Sequence, residues 1–235
     1  MMAAISYNNT TVNEVDAFKN IYCNENEIIK ALLSKSKLDL FNEVILDVGS
    51  GTGDILSYVI PLKKVIYLDI NDYSKYVTPP DHSRLTLDFL KFDPSNFPPI
   101  QTVFISHTLQ FIDSDIHYLN RITNSINPKN IVLILNNNDD FLANLINFSL
   151  TNFRNTNAEI IHNEFPSNYI EAQRIHFSAN LVCSNFDILA SQVQYLMGLY
   201  PLNHLQHIKI REYLIKQLSK PEFTINQSII NYVKR

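Results

Sequence analysis

Short apolar runs alternate with stretches of helical periodicity along most of the chain. The runs are rich in β-branched residues, which is typical of strands buried on both faces of a parallel sheet. Strands that alternate with helices predict an α/β fold with a doubly wound, mostly parallel sheet and helices on both faces. The seven predicted strands are residues 43–48, 63–70, 84–89, 101–106, 130–136, 174–183 and 223–233.

Apolar residues three or four positions apart predict helices before the first strand and after most of the later ones, with Asn24 as a candidate N-cap of the first helix. No helical pattern follows the last strand, which is expected to run antiparallel or to lie at a sheet edge. Residues 71–81 are too short and too proline-broken for the helix expected between the second and third strands. The predicted helices are residues 24–38, 53–60, 113–126, 142–150, 185–196 and 205–218.

Three of the four glycines in the chain stand in the stretch VILDVGSGTGD, residues 44–54. A chain that turns sharply from a strand into a helix needs positive φ angles, which glycine adopts at little cost. The helix amino terminus then offers backbone N–H groups and a positive dipole end to an anionic group. The stretch therefore predicts a cofactor cradle.

The spacing of these glycines decides between cofactors. A dinucleotide fingerprint is G-x-G-x-x-G, whereas this chain has G-x-G-x-G and places Asp54, a carboxylate, where the third glycine would approach a pyrophosphate. The stretch instead resembles the first motif of class I S-adenosylmethionine-dependent methyltransferases of the small-molecule type. That resemblance implies a Rossmann-like fold of seven strands with an antiparallel last strand and S-adenosyl-L-methionine as cofactor. It assigns to cofactor binding Asp47, Gly49, Ser50, Gly51 and Gly53.

Two further acidic residues follow predicted strands. Asp69, followed by Ile70, ends the second strand, where a carboxylate can accept hydrogen bonds from both hydroxyls of a ribose. That feature alone is also compatible with NAD. Asp88 and Phe89 end the third strand and resemble the family's adenine-contacting pair; the alternative for Asp88 is an acid in a surface loop.

The fourth strand ends in the segment VFISHTLQFI, residues 103–112. It resembles the segment of small-molecule methyltransferases that places Ser106 and His107 at the cofactor pocket. Histidine has an ordinary pKa of about 6.5, so His107 is a candidate general base. The alternative is a structural histidine that binds the cofactor or the backbone.

Acceptor recognition is expected outside the cofactor half. We expect a single methyltransferase-like domain over residues 1–235, with residues 1–40 as an amino-terminal helical cap and residues 139–215 contributing acceptor-side insertions. Turn chemistry or helix capping is an alternative role for the polar candidates. The candidates for acceptor binding are Tyr7, Tyr22, Asn136, Asn138 and Phe141.

Charge and composition narrow the possible partners. The formal net charge is −4, which gives no general reason to bind nucleic acid. No segment has the length of apolar sequence that a membrane helix needs, and the start of the chain lacks a signal-peptide pattern. The two cysteines, Cys23 and Cys183, have no metal or redox spacing. We therefore expect a cytoplasmic protein with two unpaired thiols, no metal and no nucleic-acid or membrane partner, whose oligomeric state the sequence does not indicate.

The sequence thus predicts an enzyme that transfers the methyl group of S-adenosylmethionine, in line, to a nitrogen or oxygen of a small-molecule acceptor. One alternative is intramolecular cyclisation of the cofactor's amino-acid part to a small cyclic amino acid, with release of methylthioadenosine. A non-catalytic module that binds S-adenosylmethionine is a third possibility. A dehydrogenase is disfavoured by the glycine spacing.

Overall fold

The strands predicted from apolar runs all form in the structure, which is a computed structural model that describes residues 22–36, 40–57, 62–109, 115–137, 141, 144–145, 157–196 and 204–235. An additional two-residue strand precedes them. The strands are β1 (Tyr22–Cys23), β2 (Val44–Val48), β3 (Lys64–Asp69), β4 (Ser83–Thr86), β5 (Thr102–Ser106), β6 (Asn130–Asn136), β7 (Tyr169–Val182) and β8 (Glu222–Lys234).

Helices cover both faces of the sheet that these strands form. Five of the predicted helical segments match helices of the structure. Of the sixth, residues 142–150, only residues 144 and 145 are described, and both are helical. The short helix that is fourth in the following list was not indicated by the periodicity. The helices are α1 (Glu25–Lys35), α2 (Asp54–Ser57), α3 (Asp115–Ser125), α4 (Ala158–Glu164), α5 (Phe186–Leu196) and α6 (His204–Gln217).

The described strands form one sheet in the order β1-β7-β8-β6-β5-β2-β3-β4. Strands β4, β3, β2, β5 and β6 are parallel neighbours. The last strand, β8, is antiparallel to both of its neighbours, β6 and β7. The predicted doubly wound sheet with an antiparallel last strand is therefore confirmed, and β1 adds an antiparallel edge.

Two predictions about local structure need correction, and a third is confirmed. Strand β4 ends at Thr86 rather than at residue 89, because the Asp88 carboxylate accepts the Leu90 N–H and starts a 3₁₀ turn. Asn24 occupies the N-cap position of α1 without a side-chain cap, since its Oδ1 accepts the Asn180 N–H of β7 instead. The departure at residues 71–81 is confirmed: residues 70–82, all of which are described, contain no helix.

The core lies on both faces of the sheet. One cluster packs under α3 and α4, and another packs under α1 and α2. Every residue of β2 and of β6 is buried, as the apolar runs predicted. A third cluster, around α5 and α6, includes both cysteines, which are free thiols as predicted. No helix within the described ranges is long and apolar enough to span a membrane.

Asp47 is an acidic residue buried within the sheet. Its side chain is only 3% exposed, and its neighbours across the sheet are Tyr67 of β3 and Phe104 of β5. Burial raises the pKa of the Asp47 carboxyl to about 8; the nearby charge of Asp69 adds to the increase and that of Arg84 reduces it. The carboxyl is therefore protonated in the folded protein at neutral pH.

Asp47 should make the stability of the protein depend on pH. The unfolded chain releases this proton at about pH 4, whereas the folded protein retains it up to about pH 8. Between these values the folded state binds more protons, so the contribution of Asp47 lowers the free energy of unfolding as pH rises, by at most about 1.4 kcal/mol per pH unit. In Asp47→Asn this contribution is absent. In thermal denaturation, the melting temperature of the variant should therefore increase relative to that of the wild type from about pH 5 to about pH 8.

The exposed Glu222, at the start of β8, offers a control that also removes one carboxylate. Glu222→Gln should follow the wild-type dependence of melting temperature on pH. If the curves of melting temperature against pH ran parallel for Asp47→Asn and the wild type, the Asp47 carboxyl would not be buried and protonated as described.

Candidate functional site

The carboxyl ends of β2, β3, β5 and β6 meet at one edge of the sheet, where ligands bind in open α/β sheets. The glycine loop, residues 49–53, follows β2. Asp69 ends β3, His107 follows β5, and Asn136 ends β6. The sheet therefore gathers the side chains that were predicted from separate parts of the sequence.

The glycine loop is fixed by backbone hydrogen bonds to the neighbouring strand. The N–H groups of Gly49 and Ser50 both donate to the Leu68 carbonyl of β3, at 2.8 and 3.1 Å. The Gly53 N–H donates to the Ser50 carbonyl at 2.9 Å, which closes the turn. Gly49, Gly51 and Gly53 all have positive φ, at 69°, 53° and 79°, which explains why the loop is built from glycine.

Each of the three glycines has different surroundings. A Cβ atom on Gly49 would lie 2.1 Å from Oγ1 of Thr108, and one on Gly53 would lie 2.9 Å from both Arg84 and Tyr67. At Gly51, by contrast, no described atom would lie within 4 Å of such a Cβ. The absence of a side chain at Gly49 and Gly53 therefore allows other side chains to pack against the loop, whereas Gly51 faces open space.

Asp69 is bound to the loop from the end of β3. Its Oδ2 accepts the Gly51 N–H at 2.8 Å, and its Oδ1 accepts the Asn71 N–H at 2.9 Å. Burial raises the pKa of Asp69, and these hydrogen bonds offset part of the increase. A carboxylate has about four lone-pair positions, so Asp69 can still accept further hydrogen bonds from a ligand. Ile70, beside it, is 38% exposed.

Two serine hydroxyls at this edge are buried without a hydrogen-bond partner in the described part of the chain. They belong to Ser50 of the loop and to Ser106 at the end of β5. Buried polar groups in native proteins are nearly always hydrogen-bonded to protein, water or ligand. Both hydroxyls lie beside the loop and are suited to a polar ligand.

The structure places the predicted adenine-side pair in two different environments. The Asp88 side chain caps the turn Phe89–Lys91 and lies just beyond the end of β4. The Phe89 ring is 4% exposed and packs 4.6 Å from the ring of Tyr118 in the core. Asp88 thus lies at the edge of the sheet, whereas the Phe89 ring lies in the core beside Tyr118.

His107 stands at the other side of the edge and contacts the amino-terminal helix. Its Nε2 lies 2.5 Å from Oε1 of Glu25, the first residue of α1. Its φ of 51° is unusual for histidine, and its N–H donates to the Ile134 carbonyl at 3.2 Å. Strained backbone of this kind is concentrated at functional sites.

A third residue joins His107 and Glu25. The Gln227 side chain, from β8, donates through Nε2 to Glu25 at 2.6 Å and to Oδ1 of Asn136 at 3.2 Å. Burial alone would raise the pKa of Glu25, but the charge of His107 and the hydrogen bonds from His107 and Gln227 lower it below its ordinary value. Glu25 is therefore ionised and points its charge at the imidazole.

The other acceptor-side candidates have separate positions. Tyr7 and Asn138 lie outside the described residues, and Tyr22 forms β1. The Phe141 ring packs 5.0 Å from Phe223 and 5.7 Å from Tyr213, in the cluster around α5 and α6. Asn136 contacts the group formed by Glu25, His107 and Gln227, through the Nε2 group of Gln227.

Three residues of the site were not predicted from the sequence: Glu25, Arg84 and Gln227. Glu25 has the appearance of an ordinary first-turn acid of a helix, favourable to its dipole. Arg84 and Gln227 lie within predicted strands, where polar residues usually face solvent. The available signal was a polar residue within an otherwise apolar strand. Such a residue does not indicate which other residue it contacts.

No protein-family model matches the chain, and no curated protein matches it. Solved structures do resemble it. YcgJ of Bacillus subtilis superposes with a TM-score of 0.60 at 12% identity, covering 89% of this chain and 99% of its own. BH2331, a proposed methyltransferase of Bacillus halodurans, gives 0.58 at 11% identity, covering 88% and 99%.

Magnesium protoporphyrin IX methyltransferase of Synechocystis PCC 6803, whose structure contains S-adenosylhomocysteine, gives a TM-score of 0.53 at 12% identity. The match covers 90% of this chain and 82% of that protein. Identities this low establish the fold alone. The chain has the Rossmann-like fold of the class I S-adenosylmethionine-dependent methyltransferases, as the motifs of its sequence imply.

Proposed function

We propose that the chain is an S-adenosylmethionine-dependent methyltransferase that acts on a nitrogen or oxygen of a small-molecule acceptor. The observation that carries this proposal is the common sheet edge, where an open glycine loop and a largely buried Glu25–His107 pair lie side by side. The glycine loop and Asp69 form the cofactor half of the site, which suits a cofactor with an amino-acid end and a ribose. The Glu25–His107 pair forms the acceptor half, which suits removal of a proton from an acceptor.

The residues of the cofactor half fit S-adenosylmethionine. Gly51 leaves room above the loop, and the Ser50 and Ser106 hydroxyls are unsatisfied polar groups in the described chain. We assign Asp47 and residues 49–53 to the methionine part, Asp69 to the ribose, and Ile70 and Asp88 to the adenine side. When bound, the cofactor supplies an electrophilic methyl group on its sulfonium.

In the acceptor half, His107 is the proposed base. Its Nε2 faces the Glu25 carboxylate, so the neutral form of the ring carries its hydrogen on Nε2, and in that form Nδ1 takes up the proton of the acceptor. The Glu25 charge stabilises the imidazolium that results. Gln227 binds Glu25 from β8 and keeps the carboxylate directed at His107.

A small acceptor fits the charge and the position of the site. The net charge of −4 disfavours nucleic acid, whose phosphates require clustered Lys and Arg. The site also lies between the start of α1 and β8, close to the buried Gln227. Buried amide groups such as those of Asn136 and Gln227 are typical of sites that orient small polar molecules.

The cofactor assignment predicts that Asp69→Asn loses affinity for S-adenosylmethionine by about ten- to a hundredfold, because hydrogen bonds to charged groups contribute about 1.5–3 kcal/mol each. Isothermal titration calorimetry with S-adenosylmethionine, S-adenosylhomocysteine and NAD measures the effect. Asp187→Asn, an exposed carboxylate on α5, should bind as the wild type does. A wild-type protein that binds NAD but not S-adenosylmethionine would refute the assignment.

The acceptor assignment predicts that His107→Gln and Glu25→Gln retain cofactor affinity within about threefold but lose turnover. A positioned general base contributes about 10²- to 10⁴-fold, so His107→Gln should show the larger loss. Mass spectrometry of S-adenosylhomocysteine and methylated products, after incubation with S-adenosylmethionine and a metabolite extract, measures turnover.

The matched control is His162→Gln, which breaks another histidine–glutamate pair, with Glu171, away from the sheet edge. Its turnover should equal that of the wild type. Accumulation of methylthioadenosine in place of S-adenosylhomocysteine would show cyclisation instead of methyl transfer. Full turnover by His107→Gln would eliminate it as the base.

A further inference from the structure

Arg84, on β4, contacts the glycine loop from the side of Tyr67. Tyr67 of β3 is its neighbour in the sheet register, and the Arg84 guanidinium lies 4.8 Å from the centre of the Tyr67 ring. From there Nη1 donates to the Gly51 carbonyl at 2.7 Å, and Nη2 donates to the Thr52 carbonyl at 2.8 Å. One planar side chain therefore binds two successive peptide groups of the loop.

The Nε group of Arg84 makes a further hydrogen bond. It donates to Oγ1 of Thr78 at 3.3 Å, and Thr78 belongs to the irregular segment of residues 70–82 between β3 and β4. The guanidinium is thus fixed by Thr78, by the Tyr67 ring and by the loop. An arginine fork held in one orientation loses little conformational freedom for each hydrogen bond that it makes.

Among the described residues, few others support the outer side of the loop. Residues 70–82 form no helix that could pack against it. Instead a cavity of about 260 Å³ lies beside the loop, and its lining includes Thr52, Asp54, Tyr76 and Val77 besides the Arg84–Tyr67 pair. Val77 is 93% exposed, so it adds little packing. Within the described part of the chain, the hydrogen bonds from Arg84 are therefore the restraint on the Gly51 and Thr52 carbonyls from this side.

The third glycine of the motif is explained by this contact. A Cβ on Gly53 would lie 2.9 Å from Nη2 of Arg84 and 2.9 Å from Cε1 of Tyr67. A positive charge at the carbonyl end of a peptide group also makes its N–H end a better donor. The Gly51 carbonyl shares its peptide group with the Thr52 N–H, which belongs to the same loop as the open Gly51.

We propose that Arg84 is a positioning residue for cofactor binding, which holds the glycine loop in its binding conformation from the side opposite to the cofactor. This inference rests on the proposed function. Arg84 does not touch the cofactor. It replaces, with two charged hydrogen bonds and an aromatic contact, the packing that a helix after β3 would provide.

The test compares the binding of S-adenosylmethionine and S-adenosylhomocysteine to wild type, Arg84→Lys, Arg84→Gln and Arg84→Ala by calorimetry. Arg84→Gln should weaken binding by about thirtyfold, because the two charge-assisted hydrogen bonds that order the loop are lost and only part of their free energy contributes to ligand binding. Arg84→Lys, which reaches one carbonyl with a point charge, should lie between Arg84→Gln and wild type. Methylguanidinium at millimolar concentration should restore part of the affinity of Arg84→Ala, a recovery that general destabilisation would not produce.

Arg174→Gln is the matched control, because Arg174 is a strand arginine of β7 paired with Glu159 and Glu171 rather than with the loop. It should bind the cofactor as wild type does. Equal affinity of wild type and Arg84→Gln, with Asp69→Asn impaired, would overturn the role of Arg84 and leave the proposed function intact. A wild type that binds neither ligand would refute the proposed function itself. If Arg84→Gln does not fold, Arg84→Lys provides the test. Wild-type affinity in Arg84→Lys would show that the two-donor guanidinium group is not required.

Discussion

The site depends on how the chain leaves β2. The Leu68 carbonyl of β3 accepts two hydrogen bonds, from the N–H groups of Gly49 and Ser50, and so fixes the start of the glycine loop to the neighbouring strand. From there the loop must pass between Thr108 on one side and the Arg84–Tyr67 pair on the other, with no room for a Cβ at Gly49 or Gly53. This narrow path fixes the loop so that its open side lies at Gly51.

The charges around the loop are arranged in the same restricted space. Asp47 lies in β2 before the loop, Asp69 at the side of the loop, and Arg84 on its outer side. Besides burial, the charge of Asp69 raises the pKa of Asp47, and the charge of Arg84 lowers the pKa of both acids. Burial keeps Asp47 protonated near neutral pH, while Asp69 retains hydrogen bonds from two backbone N–H groups. A cationic ligand at the open side of the loop would therefore meet the carboxylate of Asp69, whereas Asp47, protonated at neutral pH, contributes no negative charge there.

The sheet and the cofactor edge could be predicted from the sequence because both follow from local rules. Buried parallel strands leave continuous apolar runs, and the carboxyl ends of such strands share one edge, so the sequence alone places Asp69 and His107 together. Strand β4 was predicted too long because the capping ability of Asp88 competes with the apolar pattern around it. Glu25, Arg84 and Gln227 were missed for a different reason: each acts on a partner far away in sequence, and single-sequence periodicity contains no information about that pairing.

The two halves of the site differ in how much of the chain they need. The proposed cofactor half is built almost entirely from β2, β3, β4 and the turns between them, over a continuous stretch of sequence. The proposed acceptor half joins Glu25, near the first described residues, to His107 and to Gln227 in the last strand. Because β8 inserts between β6 and β7, it brings Gln227 to the start of α1. Under the proposed function, changes at Glu25 or Gln227 would therefore alter acceptor recognition while the glycine loop stays unchanged, which is one way for a single fold to serve many acceptors.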